Sequence, residues 1–447
     1  MSPSRPIGRR SLLVLAGVGA LAGCSQRGPG APSSTGAGGT FGSFGAPAAT
    51  TGAGLEGTDA AVALSKQVFA ALRTADRALL LRSFAPAAQP VAGRWFDAVR
   101  SVPMTMHGVV PVSGVDGEEP PAPGKPWVFA YLHQVEGLDG ALSEEWYAAP
   151  LVRHGSDTVL GAWTGVQDED PRSRQRYLGA YPQLWDEGPV RYTPGRGMGL
   201  LTPAAWSAAR CRKALHGLEP GVLRTTQLLR EGGVRLPAGE GLLVGIVDGA
   251  HGRFMDYLGG VRTTPQADFG AATVPLLARD QLHRPLGDGQ VSASRILVPA
   301  DVFAEDDDEA QATIRHESVH ALLTRLWGAS DPTARWTVEG MSQWAELDGD
   351  AELEEGILAD AADAFPARIK AADDVDFWTG DDPAVRDAYA VAYAAFAFAV
   401  DRKGLAAALE ATHRATSSGH GDVYSPLGLD NGPEFDKALA AWLAERT

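Results

Sequence analysis

The sequence predicts an α+β protein, in which helices and strands are segregated along the chain instead of alternating. Between 58 and 166, two helix-like runs precede four strand-like runs; between 242 and 447, three strand-like runs precede long apolar helical stretches. One of those later helices carries the run His316-Glu317-Ser318-Val319-His320, which marks it as a metal-binding helix.

The N-terminus comes first. Arg9 and Arg10 precede the apolar run Leu12 to Ala22, which has the length of a signal h-region and is too short to span a bilayer. Leu21-Ala22-Gly23-Cys24 resembles the lipobox of bacterial lipoproteins, which implies removal of residues 1–23 and lipid on Cys24. Gly8-Arg9-Arg10-Ser11-Leu12-Leu13 also resembles a twin-arginine signal; two arginines before an apolar run equally suit general secretion, so the export route stays open. Residues 24–57 then read as a tether of Gly, Ala, Ser, Thr and Pro with almost no charge, with a reach of about 30 Å. The expected location is the outer face of a bacterial cell membrane, with the lipid as anchor.

The net charge of −16 becomes −19 once Arg5, Arg9 and Arg10 leave with residues 1–23. So acidic a chain excludes electrostatic binding to nucleic acid or to an anionic lipid surface. With Cys24 lipidated, Cys211 is the remaining thiol, so no intrachain disulfide is expected and Cys211 reads as a small core residue.

The expected accessory domain covers 58–195. Val62, Leu64, Val68 and Leu72 recur at helical spacing from Thr58 to Ala75, and a second helical run covers Leu79 to Phe84. Strands are expected at Met104 to Val112, Trp127 to Val135, Glu144 to Val152 and Thr158 to Val166. This order resembles the cone-like fold of nuclear transport factor two and its relatives, which implies a binding or positioning role. His107, His133 and His154 read as structural.

A boundary is expected in the Gly/Pro-rich stretch Pro194 to Leu201, with Thr202 capping and Pro203 opening the first helix of a domain at 203–447. Strands follow at Leu242 to Val247, Ala272 to Leu277 and Val291 to Pro299. Residues 309–327 then form a helix in which Ile314, Val319, Leu322, Leu323 and Leu326 recur at helical spacings, as in a buried helix, and the acidic run Glu305 to Glu309 marks its first turn.

On that helix His316 and His320 are four apart and project from one face, which is half of a tetrahedral zinc site. A catalytic zinc needs one more protein ligand and an open position, and Glu339, after 18 intervening residues, is the candidate. Glu317, between the histidines, is placed to accept a proton from the attacking water as general base. Glu346, seven residues after Glu339 and so on the same face, would hydrogen-bond a ligand imidazole.

These two segments, with Trp336 three before Glu339 and Gly340 straight after it, resemble the gluzincin metallopeptidases, the class that includes thermolysin and the aminopeptidase N type. The resemblance implies a mixed sheet with a mainly helical C-terminal part, one Zn2+, and hydrolysis of peptide bonds in an extended peptide or protein substrate. It further implies that an edge strand before the metal helix aligns the substrate, for which Val291 to Pro299 is in place. Ser342 departs from the usual alanine, and no counterpart of the motif that binds a free amine is evident, which argues against a simple aminopeptidase.

The resemblance also implies an oxyanion donor further along the chain. Tyr389, in the apolar helical stretch 385–405, is the first choice, with Tyr393, His413 and His420 competing; the two histidines are placed in a Gly/Ser-containing loop. Ser417 to Asn431 reads as a loop before a final helix from Glu434 to Glu445. The expectation is thus a lipid-anchored zinc metallopeptidase, the alternatives being a non-catalytic cell-surface binding lipoprotein that keeps the fold and a zinc hydrolase acting on something other than peptides.

Overall fold

A computed structural model of the chain describes residues 56–112, 120–122, 124–166, 183–236, 241–248, 271–280, 286, 290–300, 307–328, 335–367, 382–417 and 423–447. The signal run, Cys24, Glu305 and His420 lie outside the described residues, as does the tether up to 55. No described helix is long and apolar enough to cross a membrane.

The chain is mixed α and β. The described residues open with three helices, α1 (Gly57–Thr74), α2 (Arg77–Arg82) and α3 (Gln89–Arg100). Asp76 caps α2 by accepting from the Leu79 amide. Four antiparallel strands follow in the order β1-β2-β3-β6: β1 (Met104–Pro111), β2 (Trp127–Val135), β3 (Ser143–Ala149) and β6 (Thr164–Gly165). Between them β4 (Leu151–His154) and β5 (Asp157–Leu160) form a separate two-stranded ribbon. The two expected strands from 144 to 166 are therefore four short pieces. Helices and sheet close over an aromatic core in which Trp163 stacks on Tyr147 and Trp95 meets Tyr131, Tyr147 and Trp163 edge-on.

After a short helix α4 (Leu184–Glu187) comes a five-stranded sheet of order β10-β11-β9-β8-β7. Its strands are β7 (Val190–Pro194), β8 (Met198–Pro203), β9 (Leu242–Val247), β10 (Ala272–Leu277) and β11 (Val291–Pro299). Two expectations change here. The Gly/Pro-rich stretch Pro194 to Leu201 is the turn and start of the β7–β8 hairpin, inside this sheet, and Thr202 and Pro203 end β8. The helix α5 (Ala208–Glu231) starts later, capped by Ser207, whose hydroxyl accepts from the Arg210 amide. Sequence spacing favoured the Thr-Pro pair as a cap, but pairing of Thr202 with Arg191 in the ladder prevails.

β8 and β9 run parallel, which requires a crossover, and α5 supplies it. β9 also runs parallel to β11, and its six residues are all buried, as expected of a strand covered on both faces. β10 pairs antiparallel with β11 and stands at the edge. The substrate-aligning edge expected of Val291 to Pro299 is thus not there: β11 lies between β10 and β9.

Among the described residues after β11 the elements are helical: α6 (Asp307–Trp327), α7 (Arg335–Leu347), α8 (Ala351–Ala364), α9 (Asp382–Lys403), α10 (Leu405–Ser417), a 3-10 turn at Ser425–Leu427 and α11 (Gly432–Ala444). Asn431 caps α11, whose first residue, Gly432, lies two before the expected start at Glu434. α6 packs on β10, β11 and α5, and α7 packs on α6 and α9. Cys211 is a buried core residue beside the Thr202 hydroxyl.

Candidate metal centre

Two helices build the site. α6 is buried on several sides, with Ala310, Ile314, Val319 and Leu323 all in the core, and His316 and His320 face Glu339 of α7. α7 approaches closely because of Gly340: a Cβ there would fall on the backbone carbonyl of Ala392 in α9. Glu339, beside Gly340 on α7, stands opposite the two imidazoles of α6. Ser342, the departure from alanine, is buried with its hydroxyl donating to the Val338 carbonyl one turn back.

His316, His320 and Glu339 come together with one ligand atom each, all within 4.8 Å of one another. The Nε2 atoms of the histidines are 3.2 Å apart, and Glu339 Oε2 is 3.3 Å from His320 Nε2 and 3.7 Å from His316 Nε2. Ligands about 2.0–2.1 Å from a zinc ion in tetrahedral geometry stand about 3.3 Å from each other, so the spacing suits that ion. Glu339 Oε2 is buried and accepts no hydrogen bond, a costly state for a carboxylate oxygen that a cation would relieve. The donor set, two imidazoles and a carboxylate, also suits zinc.

The surrounding groups fix these ligands. Glu346 Oε2 is 2.9 Å from His316 Nδ1, and a carboxylate can only accept, so Nδ1 carries the proton and Nε2 faces the centre. Gln343, one turn before Glu346, donates to the same oxygen at 2.9 Å. Arg315 on α6 donates to the carbonyls of Ala345 and Glu346 near the end of α7, which clamps the two helices at the site.

Electrostatics follow from this packing. Burial depresses the His316 imidazole, but the neighbouring Glu339 and Glu346 carboxylates outweigh it and hold its pKa up to about 10. Burial also pushes the Glu339 carboxyl up, and the His320 and His316 imidazoles outweigh that, holding it at about 2. The metal-free triad is therefore an ion pair, and a cation entering it displaces a proton from His316. The His316 side chain is fully buried, Glu339 is 3% exposed, and His320, at 12%, is the ligand nearest to solvent.

Glu317 is fully buried. The Thr273 hydroxyl of β10 lies 2.7 Å from its Oε2 and 3.0 Å from its carbonyl oxygen. Of the four oxyanion candidates, Tyr389 on α9 stands near the centre, its ring 6.5 Å from that of His316. The Tyr393 hydroxyl is bonded to Glu354 instead; burial, then that carboxylate, pushes it well above the usual phenol range. His413 lies on α10, not in a loop, and stacks on Trp327 at 4.9 Å. His420 is outside the described residues.

Sequence reasoning missed Thr273, Gln343 and Arg315. Gln343 had a readable signal, since it stands three before Glu346 on one helix face. Thr273 had none: the fold alone carries a strand residue to the metal helix.

In the first unit, His133 is fully buried with Nε2 2.5 Å from Glu145 Oε1. The other Glu145 oxygen accepts from Trp185 Nε1 at 2.9 Å and Tyr147 at 2.8 Å. His107 sits at a β-bulge opposite His133, and burial lowers its pKa, with His133 adding to the effect. His154 ends β4 at the surface. His133 is thus the core of a buried polar network, in keeping with a structural reading.

No protein-family model matches this chain, and no curated protein matches it. Among solved structures, the chain is similar to a mutant of a two-domain M1 zinc metallopeptidase bound to L-arginine. The identity is 15%, the match covers 66% of this chain and 59% of that one, and the TM-score is 0.29. The chain therefore spans less than two thirds of that protein's length.

Proposed function

We propose that this protein is a zinc-dependent peptidase, exported and held by lipid on Cys24 at the outer face of a bacterial membrane. One observation carries the catalytic part: three donor atoms at tetrahedral spacing, with a carboxylate between the two histidines in sequence.

A zinc ion, when bound, polarises the scissile carbonyl and makes water a stronger acid. The remaining steps belong to the chain. His316, His320 and Glu339 hold the metal, and Glu346 keeps His316 in the tautomer that presents Nε2. Glu317 accepts a proton from the attacking water and passes it to the amine nitrogen as the peptide bond breaks. Tyr389 donates its hydroxyl proton in a hydrogen bond to the oxygen that becomes negative. Burial of Glu317 and Glu339 keeps the local dielectric low and strengthens each of these interactions.

The finer fold assignment belongs to the same proposal: a gluzincin-type unit preceded by a unit of the nuclear-transport-factor-two kind, which binds or positions the substrate. The three helices before a four-stranded antiparallel sheet support the second part. The expected substrate is a peptide or protein and not a nucleic acid, given the acidic charge.

Glu317→Gln in the purified full-length protein tests the reading. We expect wild type to cleave members of a mixed proteome-derived peptide library, and the variant to lose at least about 100-fold in rate while keeping its zinc. A wild-type protein that binds zinc and cleaves no peptide supports the non-catalytic alternative, and activity confined to small esters or amides supports the other hydrolase.

A further inference from the structure

We propose that Thr273 is a positioning residue for Glu317, its hydroxyl holding one oxygen of the base's carboxylate in place. The inference rests on the peptidase reading above and adds a residue to it.

The contact joins two separate elements. Thr273 lies on β10, opposite Ile296 of β11, and is buried. Its hydroxyl reaches across to α6, 2.7 Å from Glu317 Oε2 and 3.0 Å from the Glu317 carbonyl. A hydroxyl has one proton, so it donates to one of these at a time, and the shorter, charge-assisted contact to the carboxylate is the stronger.

Both partners are suited to this. A threonine on a strand is stiff at χ1, and the ladder to β11 fixes its backbone. A glutamate side chain is long and has more rotamer freedom to lose than a threonine. A tie at Oε2 removes freedom where a base loses most from misplacement: a displacement of about 1 Å can cost about 100-fold in rate. The residue type is also informative. Valine has the same shape and would fill the same buried volume, so packing alone does not require the hydroxyl.

The test compares Thr273→Val and Thr273→Ser in the zinc-loaded full-length protein. Thr273→Ala serves as a second hydroxyl-free variant should valine prevent folding. We expect valine to lower kcat by about ten- to hundredfold on a peptide that wild type cleaves, with KM within about twofold. Serine should keep kcat within about threefold of wild type.

Calorimetry supplies a readout independent of turnover. A peptide phosphinate, whose tetrahedral oxygens mimic the attacked carbonyl, should bind valine at least about tenfold more weakly while zinc affinity is unchanged. Full kcat and full phosphinate affinity in the valine variant, or a serine variant as impaired as valine, would overturn the assignment of Thr273 alone. A wild type that cleaves no peptide removes the peptidase reading and this inference with it.

Discussion

His316 is held by two carboxylates that act differently. Glu346 binds its Nδ1 at 2.9 Å and sets the tautomer, whereas Glu339 faces its Nε2 at 3.7 Å and shares the centre. Glu346→Ala should therefore leave the fold intact and weaken zinc binding by about 10–100-fold, measured by competition with a chelator. Unchanged affinity would reduce Glu346 to a bystander. These positions were legible because helical periodicity alone puts residues 316 and 320 on one face, and 339 and 346 on another. Thr273 was not legible, because its partner is 44 residues away and no local pattern joins a strand to a helix at that distance. Tyr389, the first choice, and Tyr393 stand one turn apart on one apolar helix. Their separation depends on Glu354 of α8, whose place beside Tyr393 is a tertiary fact.

Among elements, α7 and α9 depend most on a single residue. Gly340 lets the Ala392 carbonyl come where any side chain would stand. Gly340→Ala should destabilise the protein by about 1–3 kcal/mol through forced separation of these helices, read as a lowered melting temperature, and loosen zinc binding along with it. A variant as stable as wild type would show that the crossing relaxes freely. The strands that read as apolar runs in sequence, Leu242 to Val247 and Ala272 to Leu277, form over those same residues. Their order in the sheet could not be read. β11 precedes the metal helix in sequence and was taken for an edge, yet β10 returns antiparallel beside it and occupies that place. The late start of α5 has a similar cause: Thr-Pro is a good helix opening, but a residue already paired in a ladder is not free to cap.

At the scale of the whole molecule, the two halves meet through a polar seam. Asp139 receives both terminal nitrogens of Arg295 at 2.6 and 2.8 Å, Glu144 pairs with Arg279 at 2.6 Å, and the hydroxyls of Ser143 and Ser292 are 2.7 Å apart. These bonds tie the loop after β2 and the start of β3 to β11 and to Arg279, two residues past β10, so the first unit is braced against the sheet that carries Thr273. Buried ion pairs of this kind favour a specific arrangement more than raw stability. The chemistry proposed for the site depends on one cation. Titration of zinc into the metal-free full-length protein, for wild type and for Glu339→Ala, tests that dependence directly. Wild type should bind one equivalent with proton release, and the variant should bind at least about 100-fold more weakly, having lost one of three ligands. No zinc uptake by wild type, or equal affinity in Glu339→Ala, would contradict the metal centre and the chemistry proposed for it.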